Sequence, residues 1–192
     1  MHTEYEVRIL EVDVDRIIKR LEELHATKEW DSLQRRYVYD FNPKEENKWI
    51  RLRTNGERTT LTIKNIVTSK IDGTQELEIE VDSFERTHLI LKELGYEAKG
   101  YQENRRVQYS LNGVEVDIDY WPLIPTYLEI EGPTEEAVYN AVEALSYSID
   151  DCTTRDVEGI YLDYGYDLKT IYDLKLEEER KWHYMKIYNG EG

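Results

Sequence analysis

Cysteine is nearly missing from this chain, since Cys152 is the only one among 192 residues. No disulfide within the chain and no metal site built on cysteine ligands is possible, and the composition favours a reducing, cytoplasmic location. Long apolar segments are missing as well: none approaches the roughly 20 residues of a transmembrane helix, and the N-terminus has no signal-peptide pattern. We therefore expect a soluble protein with no membrane partner.

Positive charge is also in short supply. The chain has 25 Lys and Arg residues against 41 Asp and Glu residues, a formal net charge of -16. This excess argues against nucleic-acid binding through overall charge, although a locally basic site or a bound metal ion can still hold a polyanion. The histidines lack metal-ligand spacing, and the glycines form neither a P-loop nor a Gly-x-Gly-x-x-Gly motif.

The chain does contain an order of one strand, one helix and three strands that occurs twice. The first copy has strands at 4–8, 34–41, 48–55 and 58–66 and a helix at 14–24 that Asp13 or Asp15 caps; the second has strands at 76–81, 101–111, 113–120 and 126–131 and a helix at 84–94. Asn-Gly pairs at 55–56 and 112–113 indicate hairpins, and a third helix begins near Pro133. We predict one duplicated α+β domain over residues 1–168 and a charged helical tail over 169–192.

Most of these strands alternate apolar and charged residues. Ile50 and Leu52, for example, alternate with Arg51 and Arg53. The charged faces either meet water or line the inside of a closed antiparallel barrel whose apolar faces are covered by helices, and alternation alone leaves both arrangements open. Acids dominate the first, fifth, seventh and eighth strands, whereas bases lie on the third, fourth and sixth.

Two acidic pairs lie on separate strands, Glu4 with Glu6 and Glu129 with Glu131. Within each pair the side chains share one face of the strand. If the two faces meet, each close pair of carboxylates repels by roughly 4 kcal/mol at ~4 Å with an effective dielectric constant of ~20. Such a cluster requires cations, and ligands that are all oxygen favour Mg²⁺ or Mn²⁺ over zinc.

Taken in order, these residues resemble the CYTH superfamily, the triphosphate tunnel metalloenzymes, over roughly residues 3 to 165. The motifs that carry the resemblance are Glu4-x-Glu6-x-Arg8, Tyr39-Asp40, Arg51-Leu52-Arg53, Lys64, Arg106 with Tyr109, Asp119, and Glu129-x-Glu131. Each motif is weak alone, but their order is specific. The resemblance implies an eight-stranded antiparallel β-barrel, a tunnel with helices packed outside.

The resemblance also implies roles for individual side chains. A triphosphate would be bound by Arg8, Arg51, Arg53, Lys64 and Arg106. Mg²⁺ or Mn²⁺ would be bound by Glu4, Glu6, Glu129 and Glu131, with Asp119 either as an additional ligand or as a group that orients the ligands. Lys64 and Tyr39 occupy the positions of a catalytic lysine and tyrosine pair in the thiamine triphosphatases of the family. We expect Arg35 and Arg36 to be surface charges, and the order of motifs does not include Glu76, Glu78 or Glu80.

Two positions depart from the family pattern. Arg8 and Asn104 both stand where the family has lysine, which leaves triphosphate binding plausible but the activity open. The first hypothesis is a divalent-metal-dependent hydrolase of inorganic or organic triphosphates, such as tripolyphosphate, thiamine triphosphate or a nucleoside triphosphate. The alternatives are a class IV adenylate cyclase, which makes cyclic AMP and pyrophosphate, and a module that binds a triphosphate without reaction. The oligomeric state stays open, with a homodimer as one arrangement.

Overall fold

Long strands and single helices make up most of residues 1–177, the part of the chain that the computed structural model describes. The strands are β1 (His2–Ile9), β2 (Thr27–Asp40), β3 (Lys48–Thr54), β4 (Thr59–Ile66), β5 (Thr74–Glu80), β6 (Ala98–Leu111), β7 (Val114–Tyr120), β8 (Tyr127–Gly132), β9 (Cys152–Thr153) and β10 (Asp173–Leu174). The helices are α1 (Val14–Glu23), α2 (Phe84–Glu93), α3 (Glu135–Ala144) and α4 (Val157–Asp163), with 3-10 helices at Ile149–Asp151 and Leu168–Thr170. Among residues 1–177, no helix is long and apolar enough to cross a membrane.

The eight long strands close into an antiparallel barrel. Their order around the ring is β6, β2, β3, β4, β5, β1, β8 and β7, and β7 pairs with β6 to complete it. Closure pairs the strand edges that an open sheet would leave exposed. The short strands extend this sheet, β9 beside β1 and β10 beside β6. The predicted eight-stranded barrel with helices outside is confirmed.

The alternation along each strand gives the barrel wall two different faces. Ile50 and Leu52 are buried on the outside in a core with Phe84 and Leu91 of α2. Arg51, which alternates with them, points inside, where its guanidinium reaches Glu78 on β5. A larger core on the opposite side packs apolar residues of β1, β6, β7 and β8 against α1 and α3. The charged faces therefore line the interior, the second of the two arrangements that the sequence left open.

Side-chain caps fix the starts of all four α-helices among residues 1–177. Asp13, Ser83, Thr134 and Asp156 each accept a hydrogen bond from the backbone N–H three residues later. These bonds satisfy amide groups that a helix leaves unpaired in its first turn. Asp13 is thus the cap of α1, and Pro133 precedes the cap of α3 instead of lying in its first turn.

The two Asn-Gly turns differ in structure. Asn112 and Gly113 both have positive φ angles, 52° and 81°, as a two-residue type I′ hairpin requires. Asn55 instead folds its side chain back to accept a hydrogen bond of 2.7 Å from the backbone N–H of Arg58, and only Gly56 has a positive φ. The β3–β4 connection is therefore a longer loop.

One end of the barrel is filled. Aromatic and aliphatic side chains from the β7–β8 connection, β8, α4 and β10 pack together there, namely Trp121, Ile124, Tyr127, Ile160, Tyr161 and Leu174. Trp121 and Tyr127 are only 1% exposed, and the Tyr161 hydroxyl donates a hydrogen bond of 2.7 Å to the carbonyl of Pro122. The opposite end, where the β3–β4 loop lies, remains open.

The helices cover the outside only in part. On α2 the buried residues are Phe84 and Leu91, whereas Ile90 and the C-cap residue Leu94 are exposed. The outward residues of β5 are exposed too, with Leu77 at 52% and Ile79 at 56%. The expectation that the helices cover every apolar face is therefore wrong for β5.

The C-terminal segment continues to pack beyond residue 168. Leu174 and Leu176 are buried, and the backbone N–H of Leu176 donates to the Glu103 carboxylate at 3.2 Å. Leu174, which falls in the helical tail predicted over 169–192, lies instead in β10. Residues 178–192 of that predicted tail lie outside the described residues, and the boundary at residue 168 stays a prediction.

Candidate active site

A polar cavity of about 290 Å³ lies inside the barrel and opens beside the β3–β4 loop. Its cationic wall comes from β3, β4 and β6, and its acidic wall from β1, β5, β7 and β8. The cations on the wall are Arg51, Arg53, Lys64 and Arg106, with Arg58 at the mouth. The carboxylates are Glu4, Glu76, Glu78, Glu115, Glu129 and Glu131. The structure thus brings most of the predicted site residues to one cavity.

Arg51 and Arg53 have less counter-charge than part-buried arginines usually need. Arg51 Nη2 lies 3.3 Å from Glu76 and 3.6 Å from Glu78, and its buried Nε has no acceptor among the described residues. Within residues 1–177, the one carboxylate that Arg53 reaches is Glu78, at 3.9 Å. Burial, followed by the charges of Arg51 and Arg106, lowers the pKa of Arg53 to about 9. An anion in the cavity would supply the missing acceptors.

Lys64 projects into the cavity between two carboxylates. Its Nζ lies 3.2 Å from a Glu4 oxygen and forms an ion pair with Glu76. Burial, and then the charge of Arg51, lowers the pKa of this ammonium group. Both effects favour a lysine that exchanges a proton more readily than an exposed one.

Arg106 anchors the deeper part of the acidic wall. Its guanidinium donates to Asp117 at 2.5 Å, to Asp119 at 2.5 and 2.9 Å, and to Glu129 at 2.9 Å. Burial alone would lower its pKa, but these carboxylates raise the pKa of Arg106 well above its usual value. Because its donors are already engaged, Arg106 stabilises the wall more than it offers free hydrogen bonds to a ligand.

The structure does not bring Arg8 to the cavity wall. Its Nε donates to Glu129, its Nη2 to Glu6 and its Nη1 to the carbonyl of Arg155. The side chain is 4% exposed, and all three nitrogens have acceptors inside the protein. The expected role of Arg8 in phosphate binding is therefore not supported by its position.

Tyr39 lies on the opposite face of the barrel wall from Lys64. It pairs with Ile50, an outward position of β3, and belongs to the core under α2. Its hydroxyl is 2.7 Å from Nδ1 of His88 on α2. The predicted catalytic pair of Lys64 and Tyr39 is therefore wrong, because successive residues of a strand face opposite sides and Tyr39 has the outward parity.

Replacing Tyr39 by phenylalanine is expected to leave the turnover of tripolyphosphate, the simplest of the expected substrates, unchanged. The variant loses one hydrogen bond to a histidine that water can still reach, so we expect the free energy of unfolding to fall by about 1 kcal/mol. Phosphate-release assays and thermal unfolding measure the two effects. A turnover reduced by an order of magnitude would contradict the outward placement.

The predicted metal ligands separate into two groups. Glu4, Glu129 and Glu131 line the cavity, whereas Glu6 is bonded to Arg8 and Thr74 and Asp119 is fully buried against Arg106. Within residues 1–177, no group of three or more His, Cys, Asp or Glu side chains is arranged to hold a metal ion by itself. The predicted five-residue ligand set is therefore not assembled.

Glu4 and Glu131 nevertheless fit a hard divalent cation. No hydrogen bond or ion pair to a described residue engages the Glu131 carboxylate, and burial with the charges of Glu4, Glu129 and Glu6 raises its pKa to about 8. Burial also raises the pKa of Glu4 despite its contact with Lys64. Mg²⁺ commonly binds through one or two carboxylates and completes its shell with water and substrate phosphates.

Sequence reasoning missed several interior residues. Arg36, expected at the surface, is 6% exposed; it donates to Asn104 and stacks its guanidinium 4.6 Å from the Trp121 ring centre. Burial, followed by Arg53 and Arg51, lowers the pKa of Arg36 to about 9. The other missed residues are Glu76, Glu78 and Asp117, and strand alternation alone would have placed Asp117 on the same face as Asp119.

Comparisons with known proteins agree with this geometry. The CYTH domain family profile matches residues 2–154. A protein of Pyrococcus horikoshii aligns with a TM-score of 0.70 and 24% identity over 80% of this chain and 96% of its own. A candidate adenylate cyclase of Vibrio parahaemolyticus aligns with a TM-score of 0.72 and 13% identity, over 84% of this chain and 98% of its own. A candidate adenylyl cyclase of Hippeastrum, described as having a dominant triphosphatase activity, aligns with a TM-score of 0.58 and 15% identity, over 86% of this chain and 96% of its own.

At these identities the solved structures show a shared fold and leave the reaction to be argued from the cavity. The comparison with curated proteins gave no match.

Proposed function

Because the chain belongs to the CYTH domain family, we propose that it is a divalent-metal-dependent hydrolase of triphosphates that releases orthophosphate. The substrate class is an inorganic or organic triphosphate: tripolyphosphate, thiamine triphosphate or a nucleoside triphosphate. The triphosphate would enter the cavity inside the barrel through its open end.

One observation carries this proposal: Arg51 and Arg53 lie beside each other on the cavity wall, part-buried and with too few acceptors among the described residues. An arginine fork binds phosphate oxygens through paired hydrogen bonds. The unpaired Nε of Arg51 and the long contact of Arg53 are what an arginine pair shows when its main acceptor is a ligand. A chain of phosphates supplies several such acceptors in a row.

The remaining residues would divide the work of phosphoryl transfer, which depends mainly on positioning and on neutralising charge at phosphoryl oxygens. Arg51 and Arg53 would orient the phosphates, and Lys64 would hold a proton at Nζ for exchange with a phosphoryl oxygen or the attacking water. Glu4 and Glu131 would hold Mg²⁺ or Mn²⁺, which when bound polarises a phosphoryl oxygen.

The test is an incubation of the purified protein with Mg²⁺ or Mn²⁺ and tripolyphosphate, thiamine triphosphate or ATP, with analysis of the products. Lys64→Met is expected to lower kcat by about 10²- to 10⁴-fold, the range of a lost general acid or base. Lys48→Met is the matched control, because Lys48 lies on the neighbouring strand but pairs outside the cavity with Glu45. Equal turnover by both variants would exclude the role of Lys64.

An adenylate cyclase is the second candidate, and Trp30 is the observation that favours it. Trp30 is partly exposed and lines the cavity near its mouth, where an indole can stack on a nucleobase. Cyclic AMP and pyrophosphate from ATP would identify this reaction, whereas orthophosphate identifies the hydrolase. Tight triphosphate binding with no product would instead identify a binding module.

A further inference from the structure

The Arg8 guanidinium lies between two carboxylates that the family resemblance assigns to metal binding. Its Nη2 is 2.9 Å from Glu6 and 2.6 Å from Glu129, and its Nε is 2.8 Å from the same Glu129 oxygen. The remaining nitrogen, Nη1, donates to the carbonyl of Arg155 at 2.9 Å. A lysine ammonium is a compact point charge, whereas this planar fork contacts three acceptors at once and is held in one orientation.

These contacts leave neither carboxylate a free oxygen. The second oxygen of Glu129 accepts from Arg106 at 2.9 Å, and the second oxygen of Glu6 accepts from Thr74 at 3.3 Å. Glu6 and Glu129 are 8% exposed each, so these are interior contacts that solvent does not weaken. A metal ion could bridge Oε2 of Glu6 and Oε2 of Glu129 only by displacing the buried Arg8 guanidinium from both, which is strongly unfavourable.

Glu4 and Glu131, the outer member of each acidic pair, differ from Glu6 and Glu129. Both line the cavity. One oxygen of Glu4 faces Lys64 at 3.2 Å, and no described residue bonds to the carboxylate of Glu131. Glu4 therefore keeps one carboxylate oxygen, and Glu131 both, without a hydrogen-bond or ion-pair partner among the described residues.

We propose that the Arg8 guanidinium takes the place of a divalent cation between Glu6 and Glu129, and that the substrate's metal ion binds only at Glu4 and Glu131. This inference rests on the proposed function, because the substrate phosphates complete the coordination shell of an ion that has only two protein ligands. The site thus holds one exchangeable metal ion and one permanent organic cation.

The test counts bound Mn²⁺ by electron paramagnetic resonance, with Mn²⁺ as the only ligand. We expect the wild type to bind one ion. Glu131→Gln is expected to weaken that binding by about tenfold or more, since half of the charged ligands are lost. Glu6→Gln is the matched variant, on the same face of β1 as Glu4, and is expected to leave the Mn²⁺ affinity unchanged.

Arg8→Gln is expected to add a second bound Mn²⁺, because Glu6 and Glu129 become available. If this variant does not fold, Arg8→Lys replaces it, and it is expected to give a weaker second site since an ammonium contacts fewer of the acceptors at once. The inference would be overturned if the wild type bound two Mn²⁺ ions or none. It would also be overturned if Glu6→Gln and Glu131→Gln lost the same amount of Mn²⁺ affinity. If the Mn²⁺ pattern holds but no triphosphate is hydrolysed, only the proposed function fails.

Discussion

Replacing Arg106 by methionine is expected to lower the free energy of unfolding by about 3–5 kcal/mol, the cost of removing one partner from a buried ion network. The substitution leaves Asp117, Asp119 and Glu129 without their common cation, and Asp119 is fully buried. For a chain of this size the melting temperature should fall by roughly 6–20 °C. Thermal unfolding followed by circular dichroism measures the change.

Arg58→Met is the control for that experiment. Arg58 pairs with Glu80 at 3.0 Å, but both side chains are about 60% exposed, and such surface pairs contribute about 0–1 kcal/mol. The control should therefore melt close to the wild type. If Arg106→Met melted as high as Arg58→Met, the carboxylates around Arg106 would not depend on it, and the description of the acidic wall would be wrong.

Replacing Arg53 by methionine is expected to weaken tripolyphosphate binding by about 10- to 150-fold, since a hydrogen bond to a charged group contributes roughly 1.5–3 kcal/mol. The same variant should melt no lower than the wild type. The folded state lowers the pKa of Arg53 to about 9, well below its value in the unfolded chain, so at neutral pH the charged form is disfavoured by folding. Isothermal titration calorimetry and thermal unfolding give the two quantities.

Arg35→Met provides the matched control, because Arg35 is on the outside of the barrel beside Glu85 at 3.9 Å. It should bind tripolyphosphate as the wild type does. The assignment of Arg53 to the phosphates would fail if both variants bound equally. A large loss of stability in Arg53→Met would show that its charge is well paired in the free protein, contrary to the single long contact with Glu78.

Strand parity decided which sequence predictions succeeded. Arg51 and Arg53 were placed on one face because they are two residues apart on one strand, the family resemblance made that face the inner one, and the structure puts both in the cavity. The same reasoning grouped Glu4 with Glu6. Depth along the barrel axis is not visible in this pattern, which explains why Glu4 reaches the cavity and Glu6 does not.

Register between strands is the information that the sequence lacks. Seven residues separate β2 from β3, so the pairing of Arg36 with Arg53 and of Tyr39 with Ile50 does not follow from a tight turn. A shift of one residue exchanges the two faces of a strand. Arg36 was expected at the surface, and the family resemblance assigned Tyr39 to the site; the actual pairing places Arg36 inside the barrel and Tyr39 outside.

Trp121, Tyr127 and Tyr161 pack together at one end of the barrel. Within the described part of the chain, the cavity therefore has a single opening, at the other end. If the chain hydrolyses triphosphates as proposed, substrate and products must share that opening, so a new substrate molecule cannot bind until the previous products have diffused out. Orthophosphate that lingers against the arginines would compete directly with the next reactant. The rate of product release would then limit turnover together with the rate of the bond-breaking step.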